Sequence, residues 1–348
     1  MGQFSIAVIA GDGAGCEVMP EALRVVDCVA KLDYRRFDWG SEYYLRHGRM
    51  MPEDALETLE EFDAILLGAI GHPQIADHVT LNGLLLPIRR GFDQYANVRP
   101  AFLYPGVASP LANPGAIDLV VVRENTEGEY AQVGGFLHSG QPEEVAIQSG
   151  VFTRRGIERV VRYAFDLARR RDKKRRVTSI TKSNAQGFSM VLWDRVFAEV
   201  AAEFPDISTE SLLVDAAAMN FVRRPASFDV VVGSNLFADI LSDLSAILTG
   251  SIGLAASANL NPARKHPSMF EPVHGSAPDI AGRGIVNPLA MILSASMMLD
   301  HLGLANEARA IEHAVAAVLA EGRCRTADLG GASSTREVAA AVIEKLGR

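Results

Sequence analysis

Asp239 and Asp243 lie four residues apart in the stretch Asn235-Leu236-Phe237-Ala238-Asp239-Ile240-Leu241-Ser242-Asp243-Leu244, which reads as helix. That spacing stacks both carboxylates on one helix face, where like charges repel unless a cation lies between them. Hard divalent cations such as Mg²⁺ or Mn²⁺ favour carboxylate oxygen, so the pair is a candidate metal site. The competing reading is an acidic first turn that complements the helix dipole.

Arg89, Arg99 and Arg123 each stand at or beside the end of an apolar run. A guanidinium fork can hold a carboxylate through two hydrogen bonds, so a converging trio would bind a small di- or tricarboxylate. Taken singly, each arginine is more simply explained as a surface ion-pair partner. Arg123 ends the run Leu119–Val122, and Lys182 follows Val177–Thr181. The carboxyl ends of parallel strands are where open α/β sheets place their sites. A partly desolvated lysine can serve as a base, and Tyr130, seven residues after Arg123, could donate a proton. Surface exposure of Lys182 and simple packing of Tyr130 are the plainer alternatives. Asp215 follows Leu212–Val214, also at a strand end, where capping a helix is the plainer alternative.

Two glycine-containing loops complete the set. Gly11-Asp12-Gly13-Ala14-Gly15 joins a strand to a helix, where backbone N–H groups could meet an anion. Its spacing is not that of the dinucleotide fingerprint, and a tight strand-to-helix turn is the plainer account. Glu271-Pro272-Val273-His274-Gly275-Ser276-Ala277-Pro278-Asp279-Ile280-Ala281-Gly282 reads as a rigid loop close to a ligand. An acidic side chain there can accept from ribose hydroxyls and repel a 2′-phosphate, which selects NAD over NADP. His274 could bond the cofactor or fix the loop.

The elements that must position these residues alternate between apolar β-rich runs and amphipathic segments. Phe4–Ala10, Ala64–Ala69, Val177–Thr181 and Val230–Gly233 read as strands, followed by helices at Val18–Leu32, Leu84–Phe92, Phe188–Ala202 and Leu236–Leu248. Strands apolar on both faces predict an α/β fold around a mostly parallel sheet. Residues 127–152 differ, with Glu129–Gly135 and Val145–Phe152 reading as an antiparallel ribbon that needs a partner. The segment from Pro288 to Lys345 reads as mostly helical.

The 348 residues, 48% hydrophobic, suffice for two domains with a sizeable core. A net charge of -8 gives no general attraction to nucleic acid or anionic membrane. The basic stretch from Arg154 to Arg176 reads as the solvated face of an amphipathic helix. Three widely spaced cysteines suggest neither a disulfide framework nor structural zinc, and fit a reducing cytoplasm. No basic-then-apolar leader precedes the first strand, and no run reaches the ~18 apolar residues of a membrane span.

Together these segments closely resemble, end to end and in order, the β-decarboxylating dehydrogenases, which include the isopropylmalate, isocitrate, tartrate and D-malate enzymes. The resemblance implies an isopropylmalate-dehydrogenase-like fold, with two domains sharing a mixed, mostly parallel sheet. Residues 1–98 and 250–348 would form the cofactor domain, and 99–249 the substrate, metal and dimerisation domain, with 127–152 as a projecting dimer clasp. It further implies Arg89, Arg99 and Arg123 on the substrate carboxylates and Asn82 beside its C3 substituent. Tyr130 and Lys182 would be catalytic, and Asp215, Asp239 and Asp243 would bind the metal. His274, Gly275, Ser276, Ala277, Asp279, Ile280 and Asn287 would hold NAD. Mn²⁺ or Mg²⁺ is expected, with K⁺ as a further candidate. The expected assembly is a homodimer in which Lys182 and Asp215 enter the neighbour's site, without nucleic-acid or membrane partners.

The stretches 92–100, 103–107 and 39–44 look most like tartrate and D-malate dehydrogenases, and the glutamate that marks isopropylmalate enzymes is missing near Asn82. The expected reaction is therefore oxidation, with β-decarboxylation, of D-malate or tartrate. The alternative is 3-isopropylmalate, with Leu84, Leu85 and Leu86 as an apolar lining. A non-catalytic regulatory subunit is the third reading, which the retention of Tyr130, Lys182 and the three aspartates opposes.

Overall fold

A computed structural model describes residues 4–347. In chain order its strands are β1 (Ser5–Gly11), β2 (Asp33–Phe37), β3 (Ala64–Ala69), β4 (Ala96–Phe102), β5 (Asp118–Glu124) and β6 (Gly128–Leu137). They continue with β7 (Val145–Val151), β8 (Arg176–Thr181), β9 (Ser208–Leu213), β10 (Val230–Gly233), β11 (Ala256–Leu260) and β12 (Ser268–Pro272). The result is an α/β protein with a large, mixed, mostly parallel sheet, and a separate ribbon made by β6 and β7. No helix among the described residues is long and apolar enough to cross a membrane.

By packing, the chain divides into two units. The first comprises Met1–Gln94, Arg99–Asn113 and Ser245–Arg348, and the second Tyr95–Val98 and Pro114–Leu244. The division falls within β4, so residues 99–113 go with the chain ends rather than with the middle segment.

In the first unit the strand order is β2-β1-β3-β12-β11, parallel except for β11 against β12. Every residue of β3, Ala-Ile-Leu-Leu-Gly-Ala, is buried, as a parallel strand covered on both faces requires. Ile9, Ile65, Leu67, Leu84, Ile88 and Met269 meet in one apolar cluster. The helix expected over Leu84–Phe92 begins earlier. Helical backbone runs from Asp77 to Gly91 through a π turn at Leu81–Leu85, so Asn82 sits on a helix rather than ahead of one.

The second unit orders β5-β10-β8-β9, all parallel. The helix Arg154–Arg171 buries Ile157, Val160, Val161, Ala164, Phe165 and Ala168, the stripe its spacing predicts. Thr153 caps it, accepting from the Gly156 N–H at 2.9 Å. Its cations are matched by acids: Arg154 with Glu199, Arg162 with Glu203, Arg169 with Asp206, and Arg171 with Asp118 and Asp229. The basic run is thus a salt-bridged outer face.

The ribbon pairs Leu137 with Val145 and Gly134 with Gln148 in antiparallel register, with a bulge between Gly128 and Val133. Both strands match the expected positions closely, and β6 extends two residues past Gly135. Phe136 and Ile147 are more than half exposed.

Candidate active site

Register explains why the second unit gathers its chemistry. Gly233 ends β10 opposite Arg123 at the end of β5, so the residues that follow Gly233 emerge beside the guanidinium. Those residues open the helix Asn235–Leu248. Arg123, 2% exposed, donates from Nε to Asn235 Oδ1 at 2.9 Å and from Nη1 to Asp239 Oδ1. Tyr130 Oη donates to the other oxygen, Asp239 Oδ2, at 2.7 Å, and the Arg123 guanidinium lies 5.0 Å from the Tyr130 ring centroid. Arg123, Tyr130 and Asp239 are therefore joined in one contact set. Asp243 is exposed one turn further along. The first turn of this helix contains no acidic residue, which removes the helix-dipole reading of the aspartate pair.

Glu129 supplies the missing acid from outside the helix. It accepts from the Ser234 hydroxyl at 2.7 Å and the Leu236 N–H at 3.1 Å, and Asn235 Nδ2 donates to the Glu127 carbonyl at 2.9 Å. These bonds fasten the start of β6 to the helix start, and so set Tyr130 against Asp239. Sequence reasoning missed Glu129. The available signal was a helix start at Ser234-Asn235 with no acid of its own in the first turn.

Glu124, next to Arg123 and 2% exposed, was also missed. It accepts from the Thr126 N–H and hydroxyl and from the Glu127 N–H, all at 2.9 Å, closing the turn that leads to Tyr130. Burial nonetheless pushes its carboxyl up to about 7. A carboxyl raised on folding holds its proton longer in the native state. Its contribution to stability is therefore complete below the ordinary glutamate range and is lost as pH rises toward 7, by at most about 3 kcal/mol. Glu124→Gln, which mimics the protonated form, should flatten the fall in unfolding free energy between pH 5 and 8. Urea titrations of both proteins across that range test this, and parallel pH profiles would refute it.

Lys182 and Asp215 are brought together by the same logic. Thr181 pairs with Leu213 across β8 and β9, so the residues just beyond both carboxyl ends are neighbours. Lys182 Nζ donates to Asp215 Oδ1 at 3.0 Å. That hydrogen bond, helped by backbone N–H groups at the start of the helix Val214–Arg223, holds the Asp215 carboxyl below its usual range. Among the described residues, no three His, Cys, Asp or Glu side chains gather into a metal-binding group, so Asp215 is not grouped with Asp239 and Asp243.

In the first unit, Arg89 is buried and donates from Nη2 to Glu271 Oε1 at 2.7 Å, while Asn259 Nδ2 also donates to that oxygen, at 2.8 Å. Arg89 Nε is buried without a hydrogen-bond partner. A buried guanidinium N–H left open costs about 1–3 kcal/mol or more, which an incoming carboxylate would recover. Arg99 is buried in β4. Asn82 Nδ2 donates to the His78 carbonyl at 2.7 Å inside the π turn, a distortion common at functional sites.

The 271–282 loop is held from below by the 11–17 segment. Ala14 N–H donates to the Ser276 carbonyl at 2.7 Å, and the N–H groups of Gly15 and Cys16 go to the carbonyls of Asp12 and Gly13. The segment is therefore the tight strand-to-helix turn rather than an open anion cradle. Gly13, at φ +48°, allows the approach, because a Cβ there would stand 2.3 Å from the Ser276 carbonyl oxygen. Asp12 ties the turn down, accepting from the Ser41 N–H (2.9 Å), the Ser41 hydroxyl (2.6 Å) and the Gly71 N–H (2.8 Å). Glu17 accepts from the N–H groups of Gly282 and Gly284 at the loop's far end.

Within the loop, Ala277 adopts a left-handed conformation, and Gly275 and Asp279 are exposed. Ile280 is half-buried. His274 Nδ1 lies 3.0 Å from the Gly275 carbonyl, while Nε2 is buried with no hydrogen-bond partner. Burial keeps the imidazole below its ordinary pKa, hence neutral at pH 7. An orphaned ring nitrogen beside exposed loop backbone fits a bound group that completes its hydrogen bonding. Asn287 is already engaged: Oδ1 accepts from the Leu289 N–H at 3.0 Å, and Nδ2 donates to Asp328 Oδ2 at 2.9 Å. Its side chain shapes a helix start, so any adenine contact falls to what that geometry leaves open.

Residues 5–342 match the family model described as isocitrate/isopropylmalate dehydrogenase. A probable tartrate dehydrogenase/decarboxylase of Agrobacterium vitis is 50% identical over 354 residues, covering 99% of this chain and 97% of that protein. The D-malate dehydrogenase [decarboxylating] of Escherichia coli (strain K12) is 50% identical over 358 residues, covering 99% of each. Among solved structures, isocitrate dehydrogenase from Methylococcus capsulatus matches with a TM-score of 0.91 at 37% identity, covering 99% of this chain and 100% of that one. With its motifs, sheet and relatives in agreement over nearly its whole length, the chain is an oxidoreductase and a member of the isocitrate/isopropylmalate dehydrogenase family.

Proposed function

We propose that the protein oxidises the 2-hydroxyl of D-malate or tartrate, with loss of the β-carboxylate as CO₂, using NAD⁺ and a divalent metal. The observation that carries this reading is the convergence of Arg123 and Tyr130 on Asp239, a carboxylate binder, a proton donor and a metal-type ligand within one contact set. The names of the relatives at about half identity support the choice of substrate.

Carboxylate oxygens from Asp239, Asp243 and Asp215 make a hard donor set suited to Mg²⁺ or Mn²⁺. The orphaned His274 nitrogen and the exposed loop around Asp279 suit NAD. When bound, the metal supplies polarisation of the hydroxyl and ketone oxygens and NAD⁺ the hydride acceptor. Arg89, Arg99 and Arg123 hold the substrate carboxylates and fix which hydrogen faces the nicotinamide. Lys182 takes the hydroxyl proton, and Tyr130 returns a proton to the carbon that loses CO₂.

A homodimer with shared sites suits the surface. Phe136 and Ile147 on the ribbon, Met219 on the Val214–Arg223 helix and Ile240 beside Asp239 are all more than half exposed in the single chain. In such a dimer the family resemblance implies that Lys182 and Asp215 of one copy serve the other copy's site. Three free cysteines suit a reducing compartment such as the cytoplasm.

Leu84 and Leu85, proposed above as an isopropyl pocket, belong to the first unit's apolar cluster, and Leu86 is buried as well. That favours the smaller polar substrates. Steady-state kcat/KM for D-malate, tartrate, 3-isopropylmalate and isocitrate should rank one of the first two highest. A dominant value for 3-isopropylmalate would overturn the assignment.

A further inference from the structure

The first unit has a second cleft, at the amino ends of its parallel strands. Phe4, Asp63 and Pro267, the residues just before β1, β3 and β12, line a cavity of about 240 Å³ together with Arg264, Lys265 and His301. The 271–282 loop leaves the other end of β12, so the cleft stands a strand's length from the loop proposed to hold NAD. Its acids are engaged. Glu60 Oε1 and Oε2 lie 2.9 and 3.0 Å from His266 Nδ1, and Asp63 Oδ2 accepts from the Ser5 N–H at 2.8 Å and the Ser5 hydroxyl at 3.2 Å. Its donors are not. Among the described residues, the side chains of Arg264, Lys265 and His301 meet no hydrogen-bond acceptor. Burial, reinforced by the Arg264 charge, pushes the His301 imidazole down to about 4, so the ring is neutral at pH 7.

The turn that carries the two cations is fixed in advance. Asn261, 4% exposed, accepts from the Arg264 N–H at 2.9 Å through its carbonyl and from the Lys265 N–H at 3.2 Å through Oδ1. Its Nδ2 donates to the Phe92 carbonyl at 2.9 Å. These bonds hold Arg264 at φ +52°, a left-handed conformation unfavourable for a residue with a side chain and found most often where a site needs it.

We infer that this cleft binds a phosphate group between Arg264, Lys265 and His301. A phosphate carries close to two negative charges and three acceptor oxygens at pH 7, which suits a guanidinium, an ammonium and a ring N–H. Glu60 and Asp63 offset the two cations, so the site selects by its donors rather than by net charge, and millimolar affinity is expected. Phe62 and Leu302 add apolar wall, which leaves room for a small carbon group beside the phosphate.

Calorimetric titration of the full chain with inorganic phosphate, and separately with glycerol 3-phosphate, tests the inference. At least one of the two should bind. Arg264→Gln and Lys265→Gln, both at exposed positions, should each weaken that binding by about tenfold, the worth of a charge-assisted hydrogen bond, and leave phosphate-free turnover unchanged. Tighter binding of the ester assigns the cleft to a phosphate monoester, and tighter binding of inorganic phosphate assigns it to the free ion. Wild-type affinity in both variants would place the bound phosphate elsewhere and overturn the inference, as would no binding of either compound to the wild type at millimolar concentration.

Discussion

Asp239→Asn should lower kcat by on the order of a thousandfold at saturating Mn²⁺, because on the proposed reading it removes the charge of a residue that would hold the metal. Three decades in rate correspond to about 4 kcal/mol of transition-state stabilisation, a reasonable share for a metal acting as Lewis acid. The structure adds a second effect that the sequence did not suggest. Asp239 is a carboxylate partner of Arg123, whose side chain is 2% exposed, so neutralising it weakens the counter-charge of a buried cation. The asparagine keeps one acceptor oxygen, and the aspartate side chain is 25% exposed, which brings the stability loss to about 1–3 kcal/mol rather than the larger cost of a fully buried pair. Urea unfolding and kinetics on the same sample separate the two. Asp243→Asn, at an exposed position, should leave stability unchanged. An Asp239→Asn enzyme with wild-type kcat would sink the assignment.

On the proposed reading of Lys182 as the base, Lys182→Ala should lower kcat by about 10²–10⁴, the usual contribution of a positioned general base. Stability should hardly move. Lys182 and Asp215 are 26% and 60% exposed at the side chain, and such surface pairs contribute about 0–1 kcal/mol. The contrast with Asp239 is the useful feature, since one substitution harms fold and rate together and the other harms rate alone. A small primary amine in solution should restore part of the Lys182→Ala activity, and with a pH dependence that follows the amine. Activity in the variant close to wild type, or a loss traceable to unfolding, would remove Lys182 from the mechanism.

Much of this site could be read from the sequence because strand ends are legible. The apolar runs Leu119–Val122 and Val177–Thr181 mark β5 and β8, so Arg123 and Lys182 fall at carboxyl ends by counting alone. The amphipathic stripe of residues 157–168 is equally local and was equally clear. What stayed hidden depends on partners far along the chain. Nothing near Gly11–Gly15 announces that Ala14 N–H goes to the carbonyl of Ser276, which is why the turn could be read as an anion cradle. Asp12 looks like a loop residue until Ser41 and Gly71 arrive at its carboxylate. Glu124 and Glu129 carry no local sign of their roles, yet one is buried and the other supports a helix start from another segment. The early start of the 77–91 helix was masked by Asn82-Gly83, a breaker signal that the chain absorbs in a π turn, with Gly83 lying close against Met50.

The most direct test of the central claim is the metal dependence of NADH formation by the purified chain. With D-malate or tartrate and NAD⁺, turnover should stop when divalent ions are removed by chelation and dialysis, and return in full on adding Mn²⁺ or Mg²⁺. Turnover that survives complete removal of divalent metal, or none with either substrate when metal and NAD⁺ are saturating, would contradict the account.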